Sequence, residues 1–204
     1  MRPMSPDVAT VHLWSLSQDV TLHRTARGDQ LVLTSHRGVE CLDRPGPLIR
    51  ETLRRMELGP VLLANALPDR HPADVRTCVV PVLARLSHLI VRTLGVDDLG
   101  GPLMSVFPVG PAARFTLVQL TCDRPMRLTD TAVLTSLPSG FSLEATSSPH
   151  RVVLHRPEAA MVVALLARPC TGAAAAASLS LPPQVTHAVL CYLAAAGMAV
   201  GAEG

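Results

Sequence analysis

Short apolar and polar runs near the amino terminus alternate in the way that is typical of strands. Three such runs, joined by the ARGD and HRG turns, lie at 20–25, 29–35 and 38–42. Alternation with turn residues between the runs predicts a three-stranded antiparallel sheet. A helix is predicted next, at about 46–57, because its apolar residues fall on one face and Pro47 suits a first helical turn.

In the middle of the chain the spacing of apolar residues changes from that of a strand to that of a helix. Apolar residues recur at helical spacing over about 72–94, which predicts a long helix with a kink at Pro81 and a stop at Gly95. Two further strands are expected at 103–107 and 114–122, in a stretch rich in glycine and proline.

The second half returns to the first order of elements. Strands are predicted at 131–137 and 141–147 around a Pro138-Ser139-Gly140 turn, followed by a strand at 150–156. A helix at 158–168 comes next, and a last helix is expected at 181–197.

The two halves align by pattern. Leu31-Val32-Leu33 fall on Phe141-Ser142-Leu143, and Leu42–Pro45 fall on Leu154–Pro157, with a two-residue insertion between them. The sequence therefore predicts an α+β protein of two tandem winged-helix-like modules, each a small antiparallel sheet with helices. We place them at 1–110 and 111–204, with the boundary inside 96–126.

Composition narrows the class of protein. The chain has 204 residues, of which 48% are hydrophobic, and a net charge of +2. So small a charge, with only 2% aromatic residues, makes nucleic acid an unlikely partner. No apolar run is long enough to cross a bilayer and no signal peptide is evident, so we expect a soluble cytoplasmic protein without a membrane partner.

Motifs of catalysis and metal binding do not emerge from the sequence. It lacks phosphate-binding glycine loops and the zinc-protease and serine-hydrolase motifs, and its cysteines and histidines are scattered. His187 and Cys191 stand at i and i+4 of the last helix and could touch, but without an orienting acid we predict no catalytic role. We therefore predict no catalytic residue, metal site or cofactor in this chain.

The segments DQLVLTSHRGVECLDRPGPLIRETLRRMELGP and RLTDTAVLTSLPSGFSLEATSSPHRVVLHRPEAAMVVALLARP resemble the amino-terminal region of SagB-type peptide dehydrogenases. The likeness runs from about residue 13 to 198. Those flavin enzymes oxidise azolines to azoles in ribosomally made, modified peptides. The flavin-binding Arg/Ser cluster of their catalytic domain has no candidate in this sequence. The resemblance thus implies the recognition or scaffold part, with FMN only if a partner flavin subunit is present.

Modules of this kind are similar to precursor-recognition elements, in which a leader peptide adds as a strand beside the third strand and packs against the last helix. An exposed sheet edge supplies the backbone groups for that mode of binding. One candidate edge is Val39, Glu40, Cys41 and Leu42 against the 72–94 helix. The other is Arg151, Val152, Val153 and Leu154 against the 183–196 helix. Arg76 and Arg85 either meet acidic residues of the peptide or are ordinary solvated charges.

Several functions remain open at this point. The first is a non-catalytic protein that binds a leader peptide or docks a modification enzyme such as a SagB-like dehydrogenase. The second is a subunit of a split flavin-dependent peptide dehydrogenase. The third is a winged-helix DNA-binding regulator. A homodimer through Leu190, Tyr192 and Leu193 of the last helix is also possible.

Overall fold

The fold is mixed α+β and its sheets are antiparallel, as the sequence predicts. It is known from a computed structural model that describes residues 8–25, 29–63, 75–121 and 123–202. The side chain of Arg76, one of the predicted peptide contacts, lies outside the described part of the chain.

Strands and helices of the described residues follow in this order. The strands are β1 (Thr10–Leu16), β2 (Thr21–Arg24), β3 (Gln30–Ser35), β4 (Gly38–Asp43), β5 (Val61–Leu62), β6 (Ile90–Val96), β7 (Pro102–Pro108), β8 (Met126–Leu128), β9 (Ala132–Leu137), β10 (Gly140–Ala145), β11 (His150–Leu154) and β12 (Ala199–Gly201). The helices are α1 (Pro47–Leu58), α2 (Val80–Arg85), α3 (Pro157–Leu165), α4 (Gly172–Leu179) and α5 (Pro183–Ala195). A π-helical turn at Val75–Val79 precedes α2, and a 3₁₀ turn at Ser87–Leu89 precedes β6.

The chain forms two compact units, and neither is one continuous segment. The N-unit consists of Leu13–Arg92 and Pro108–Arg114. The C-unit consists of Thr93–Phe107, the described residues up to His12 and those from Phe115 onward. The sequence-based division near residue 110 differs from these ranges, because β7 pairs with β11 of the second half and β6 pairs with β7.

The N-unit is built on the predicted meander β2-β3-β4. Leu31 and Leu33 alternate with the less buried Gln30, Val32 and Thr34, and both leucines are buried, together with Leu53 and Met56 of α1. One face of the sheet thus packs against α1, as alternation requires. Strand β5 pairs with β1 through Leu13 and Leu62.

The C-unit contains a larger sheet in the order β1-β6-β7-β11-β10-β9, and a two-stranded sheet of β12 and β8. Its core joins Leu143, Val152 and Leu154 of the sheet with apolar residues of α3 and α5. The meander β9-β10-β11 followed by α3 repeats the order of β2-β3-β4 followed by α1.

Register supports the alignment of the two halves. Leu31 pairs with Leu42 across β3 and β4, and Phe141 pairs with Leu154 across β10 and β11. These are the positions that the sequence alignment matches. The equivalence of the two meanders therefore extends to individual cross-strand pairs.

Two predicted elements are wrong. The predicted 72–94 helix ends early, because Ile90–Val96 is strand β6 and every residue of it is buried. A strand buried on both faces shows no alternation of apolar and polar residues, and β-branched residues such as Ile90, Val91 and Thr93 favour a strand there. The segment 114–121 forms no strand ladder, although Phe115 is buried as its apolar anchor.

Candidate peptide-binding edge

Strand β4 forms one edge of the sheet in the N-unit. Ser35 and Gly38 flank a two-residue turn and therefore exchange hydrogen bonds, which makes Leu33 with Glu40 and Leu31 with Leu42 the next bonded pairs. The backbone groups of the residues between them turn away from β3; these are Val39, Cys41 and Asp43. No further strand is paired with this edge among the residues that the structure describes.

Side chains along β4 divide between two faces. Val39 is 62% exposed and Cys41 is exposed, whereas Leu42 is only 6% exposed and belongs to the core. Glu40 is half-buried on the core side. The edge therefore presents backbone groups beside an exposed apolar side chain.

Arg85, one of the predicted peptide contacts, lies beside β4. Its guanidinium Nη2 donates a hydrogen bond to the carbonyl of Cys41 over 3.2 Å, and the side chain is exposed. The end of α2 thus brings a positive charge to the β4 edge. The Cys41 carbonyl faces away from β3, as the pairing pattern requires.

His88 is a residue of this region that sequence reasoning missed. Its Nε2 lies 3.4 Å from Oε1 of Glu40, and its side chain is 11% exposed. Burial lowers the pKa of His88, Glu40 opposes this shift, and Arg114 and Arg37 add to it. The shift favours the neutral form of the imidazole beside Glu40. Only the fold carries this signal, since the sequence places His88 in a predicted helix.

The opposite edge of the same sheet is blocked. The backbone N–H of Leu22, on β2, donates to Oε1 of Glu57 in α1 over 3.1 Å. A side chain that satisfies an edge donor is one way in which proteins protect sheet edges. Of the two edges, β4 is thus the more open.

The equivalent edge in the C-unit is occupied by the chain itself. Strand β7 lies next to β11, and the N–H of His155 donates to the carbonyl of Leu103 over 2.9 Å. Val152, Val153 and Leu154 are all buried. Arg151 is exposed, with its guanidinium carbon 5.5 Å from the centroid of the Phe107 ring.

A short polar chain fixes β7 in place. Nε2 of His155 lies 2.9 Å from Oγ of Ser105, which lies 2.9 Å from Oγ1 of Thr93. Thr93 and Ser105 are buried, so their hydroxyls need these partners. The polar ladder runs across β6, β7 and β11 and specifies one register for β7.

His187 and Cys191 touch, as their spacing predicts, with 3.5 Å between Nε2 and Sγ. His187 also lines an apolar cavity of about 330 Å³ between α4 and α5, together with alanines 173, 176 and 177. No group of three His, Cys, Asp or Glu residues suited to a metal occurs among the described residues.

The predicted dimer surface on the last helix is wrong. Leu190, Tyr192 and Leu193 are 2%, 0% and 0% exposed. They form the core of the C-unit, and the hydroxyl of Tyr192 lies 3.0 Å from Nδ1 of His12. The absence of charged residues in this helix predicts an interface with a second copy, but the structure buries the helix within its own unit.

No protein-family model matches the chain, and no curated protein matches it by sequence. Within the described residues, no helix is long and apolar enough to cross a membrane.

Proposed function

We propose that this protein is a non-catalytic peptide-recognition or scaffold protein in the biosynthesis of ribosomally made, azole-type modified peptides. Its units act as winged-helix-like modules, and a leader peptide adds as an extended strand to β4. The observation that carries the proposal is the contrast between two equivalent edges. Strand β11 already pairs with β7, whereas the backbone N–H and C=O groups of Val39, Cys41 and Asp43 in β4 point away from their own sheet.

The pairing of β7 with β11 indicates what the β4 edge accepts. Leu103, Met104 and Val106 of β7 are buried beside β11, and Ser105 is the polar residue between them. By equivalence, a peptide on β4 is extended and rich in apolar residues. Main-chain hydrogen bonds supply the affinity, and side-chain contacts next to Val39 and Leu42 supply the selectivity.

The positive charge of Arg85 beside β4 gives a second criterion for which peptides bind. An incoming backbone N–H takes the carbonyl of Cys41 and releases the guanidinium of Arg85, which then pairs with an acidic side chain of the peptide. An acidic residue opposite Arg85 is therefore favoured. Glu40 carries the opposite charge nearby and disfavours a second acid on its side.

Binding is tested by fluorescence anisotropy with the labelled leader peptide encoded in the gene neighbourhood of this protein. Saturable binding at micromolar or lower concentration is the expected result. Cys41→Pro removes an outward N–H without disturbing the bonds between β3 and β4, and we expect it to weaken binding about tenfold or more. Arg85→Glu should weaken it roughly fivefold, with a smaller effect at high salt.

Arg24→Pro is the matched control. Arg24 precedes the β2–β3 turn and its backbone also faces away from β3, but at the edge that Glu57 protects. Binding should survive this change. Equal losses for Arg24→Pro and Cys41→Pro would contradict β4 as the site, and no binding of the leader by the wild-type protein would contradict the proposal as a whole.

A further inference from the structure

A second sheet edge, in the C-unit, has a different chemistry. Strand β9 is the last strand of its sheet and carries no charged residue over Ala132–Leu137. Val133 is 60% exposed and Leu134 is 44% exposed, with Phe141 of β10 37% exposed beside them. Natural edge strands are usually protected by charges, prolines or bulges, and none of these interrupts β9.

Two of these apolar side chains, Leu134 and Phe141, belong to the core face of the sheet, whereas Val133, which pairs with Glu144, points to the opposite face. Leu134 pairs with Leu143, which is fully buried, and Ser136 pairs with Phe141. Residues 134 and 141 therefore point to the same face of the sheet as Leu143, which is the face that the helices cover near the centre of the sheet. At β9 the core face of the sheet extends beyond the helices that cover it. The exposed parts of Leu134 and Phe141 form an apolar margin there.

Among the described residues, no strand pairs with the outer side of β9. Leu137 and Gly140 flank a two-residue turn and form a bonded pair, followed by Thr135 with Ser142 and Val133 with Glu144. The N–H and C=O groups of Leu134 and Ser136 thus face away from β10. Another extended strand would satisfy this row of groups and cover the apolar margin at the same time.

We propose that β9 pairs with β9 of a second copy of this chain, antiparallel and centred on Leu134. In this register Leu134 meets its own counterpart, and Val133 lies opposite Thr135 of the second copy. A two-fold axis at Leu134 makes the contact self-complementary, and an uncharged strand brings no like charges together. The exposed apolar margins of the two copies then lie side by side on one face of the joined sheet.

Analytical ultracentrifugation of the full chain over a range of concentrations tests this pairing. The wild-type protein is expected to dimerise, and Leu134→Glu is expected to be monomeric at concentrations where the wild type is dimeric. Leu58→Glu is the matched control, because Leu58 is a 77% exposed leucine at the end of α1, which belongs to the N-unit and not to the sheet that contains β9. It should leave the dimer intact. Circular dichroism and thermal melting establish that each variant is folded.

Mixing variants separates pairing at Leu134 from other modes of assembly. Leu134→Lys alone should also be monomeric, whereas an equimolar mixture of Leu134→Lys and Leu134→Glu should recover the dimer, since opposite charges then meet across the axis. A monomeric wild type, or a dimer that Leu134→Glu leaves unchanged, would overturn the inference. So would a mixture that stays monomeric. None of these outcomes bears on leader binding at β4.

Discussion

At the scale of single residues, two glycines show how backbone conformation and local space act separately. Gly38 and Gly140 each open a strand after a two-residue turn, with φ of +135° and +138°. A Cβ at Gly38 would meet nothing within 4 Å, whereas one at Gly140 would lie 2.2 Å from the carbonyl oxygen of Leu154. Both positions need a glycine conformation, but only Gly140 also needs the space.

Alanine substitution should therefore cost more at Gly140 than at Gly38. Backbone strain alone predicts a loss of about 1–2 kcal/mol of unfolding free energy for Gly38→Ala. Gly140→Ala adds a clash with backbone that cannot move aside, which predicts about 3 kcal/mol or more. Urea denaturation of the two variants measures the difference, and equal losses would show that the close approach to Leu154 is not maintained.

His150 makes the stability of the C-unit depend on pH. It is 4% exposed and packs edge-on against Phe115, and neither ring nitrogen has a well-formed hydrogen bond to the part of the chain that the structure describes. Burial lowers the pKa of His150, and the backbone of Ala196 opposes this shift. The folded state therefore binds fewer protons than the unfolded state, so the stabilisation is complete above the ordinary histidine pKa and is lost as the pH falls below it.

We expect the unfolding free energy to decrease as the pH is lowered from 7.5 to 5. His150→Phe removes the titrating group, so part of this decrease should disappear in the variant. The remainder comes from His155 and His88, whose pKa values burial also lowers. Denaturation curves of the wild type and the variant at several pH values provide the measurement. An unchanged pH profile in His150→Phe would remove His150 from this account.

At the scale of elements, local pattern was sufficient wherever alternation or helical spacing was complete. The strands β2, β3 and β4, the β9–β10 hairpin and the helices α1, α3 and α5 lie close to their predicted positions. Alternation identifies these strands because one face of each meander is buried and the other is not. Pro47 and Pro157, each at the start of a helix, are equally local signals.

Long-range pairing decided the elements that sequence reasoning missed. Strand β6 reads as part of a helix because both of its faces are buried, and only its neighbours β1 and β7 reveal why. For the same reason the sequence predicts two equivalent edges, at Val39–Leu42 and Arg151–Leu154, and does not indicate that β7 covers the second. The contacts of Arg85 with Cys41 and of Glu57 with Leu22 depend on the same packing.

Hydrogen exchange distinguishes the two edges directly. Amide protons of Arg151, Val153 and His155 should be protected, because they face β7. The amides of Val39 and Cys41 face outward from β4 and should exchange much faster. Addition of the leader peptide should slow the exchange of the Val39 and Cys41 amides only. Equal protection of both edges in the free protein would mean that another segment covers β4.

At the scale of the whole molecule, each unit has its own hydrophobic core. One core joins the meander β2-β3-β4 to α1 and the helical turns before β6, and the other joins the larger sheet to α3, α4 and α5. The proposed functions divide in the same way, since leader binding uses β4 of the N-unit and self-association uses β9 of the C-unit. Each activity can therefore be removed without touching the residues of the other.

The discontinuous C-unit has a consequence for how the protein is made. Strand β7 ends at Pro108, but its neighbour β11 begins only at His150, about 40 residues later in synthesis. At about 5–20 residues per second on the ribosome, β6 and β7 emerge several seconds before β11 exists. During that interval β6 already has both of its neighbours, β1 and β7, whereas the side of β7 that later pairs with β11 is uncovered. We therefore expect the nascent chain to expose one unpaired strand edge until β11 has been made.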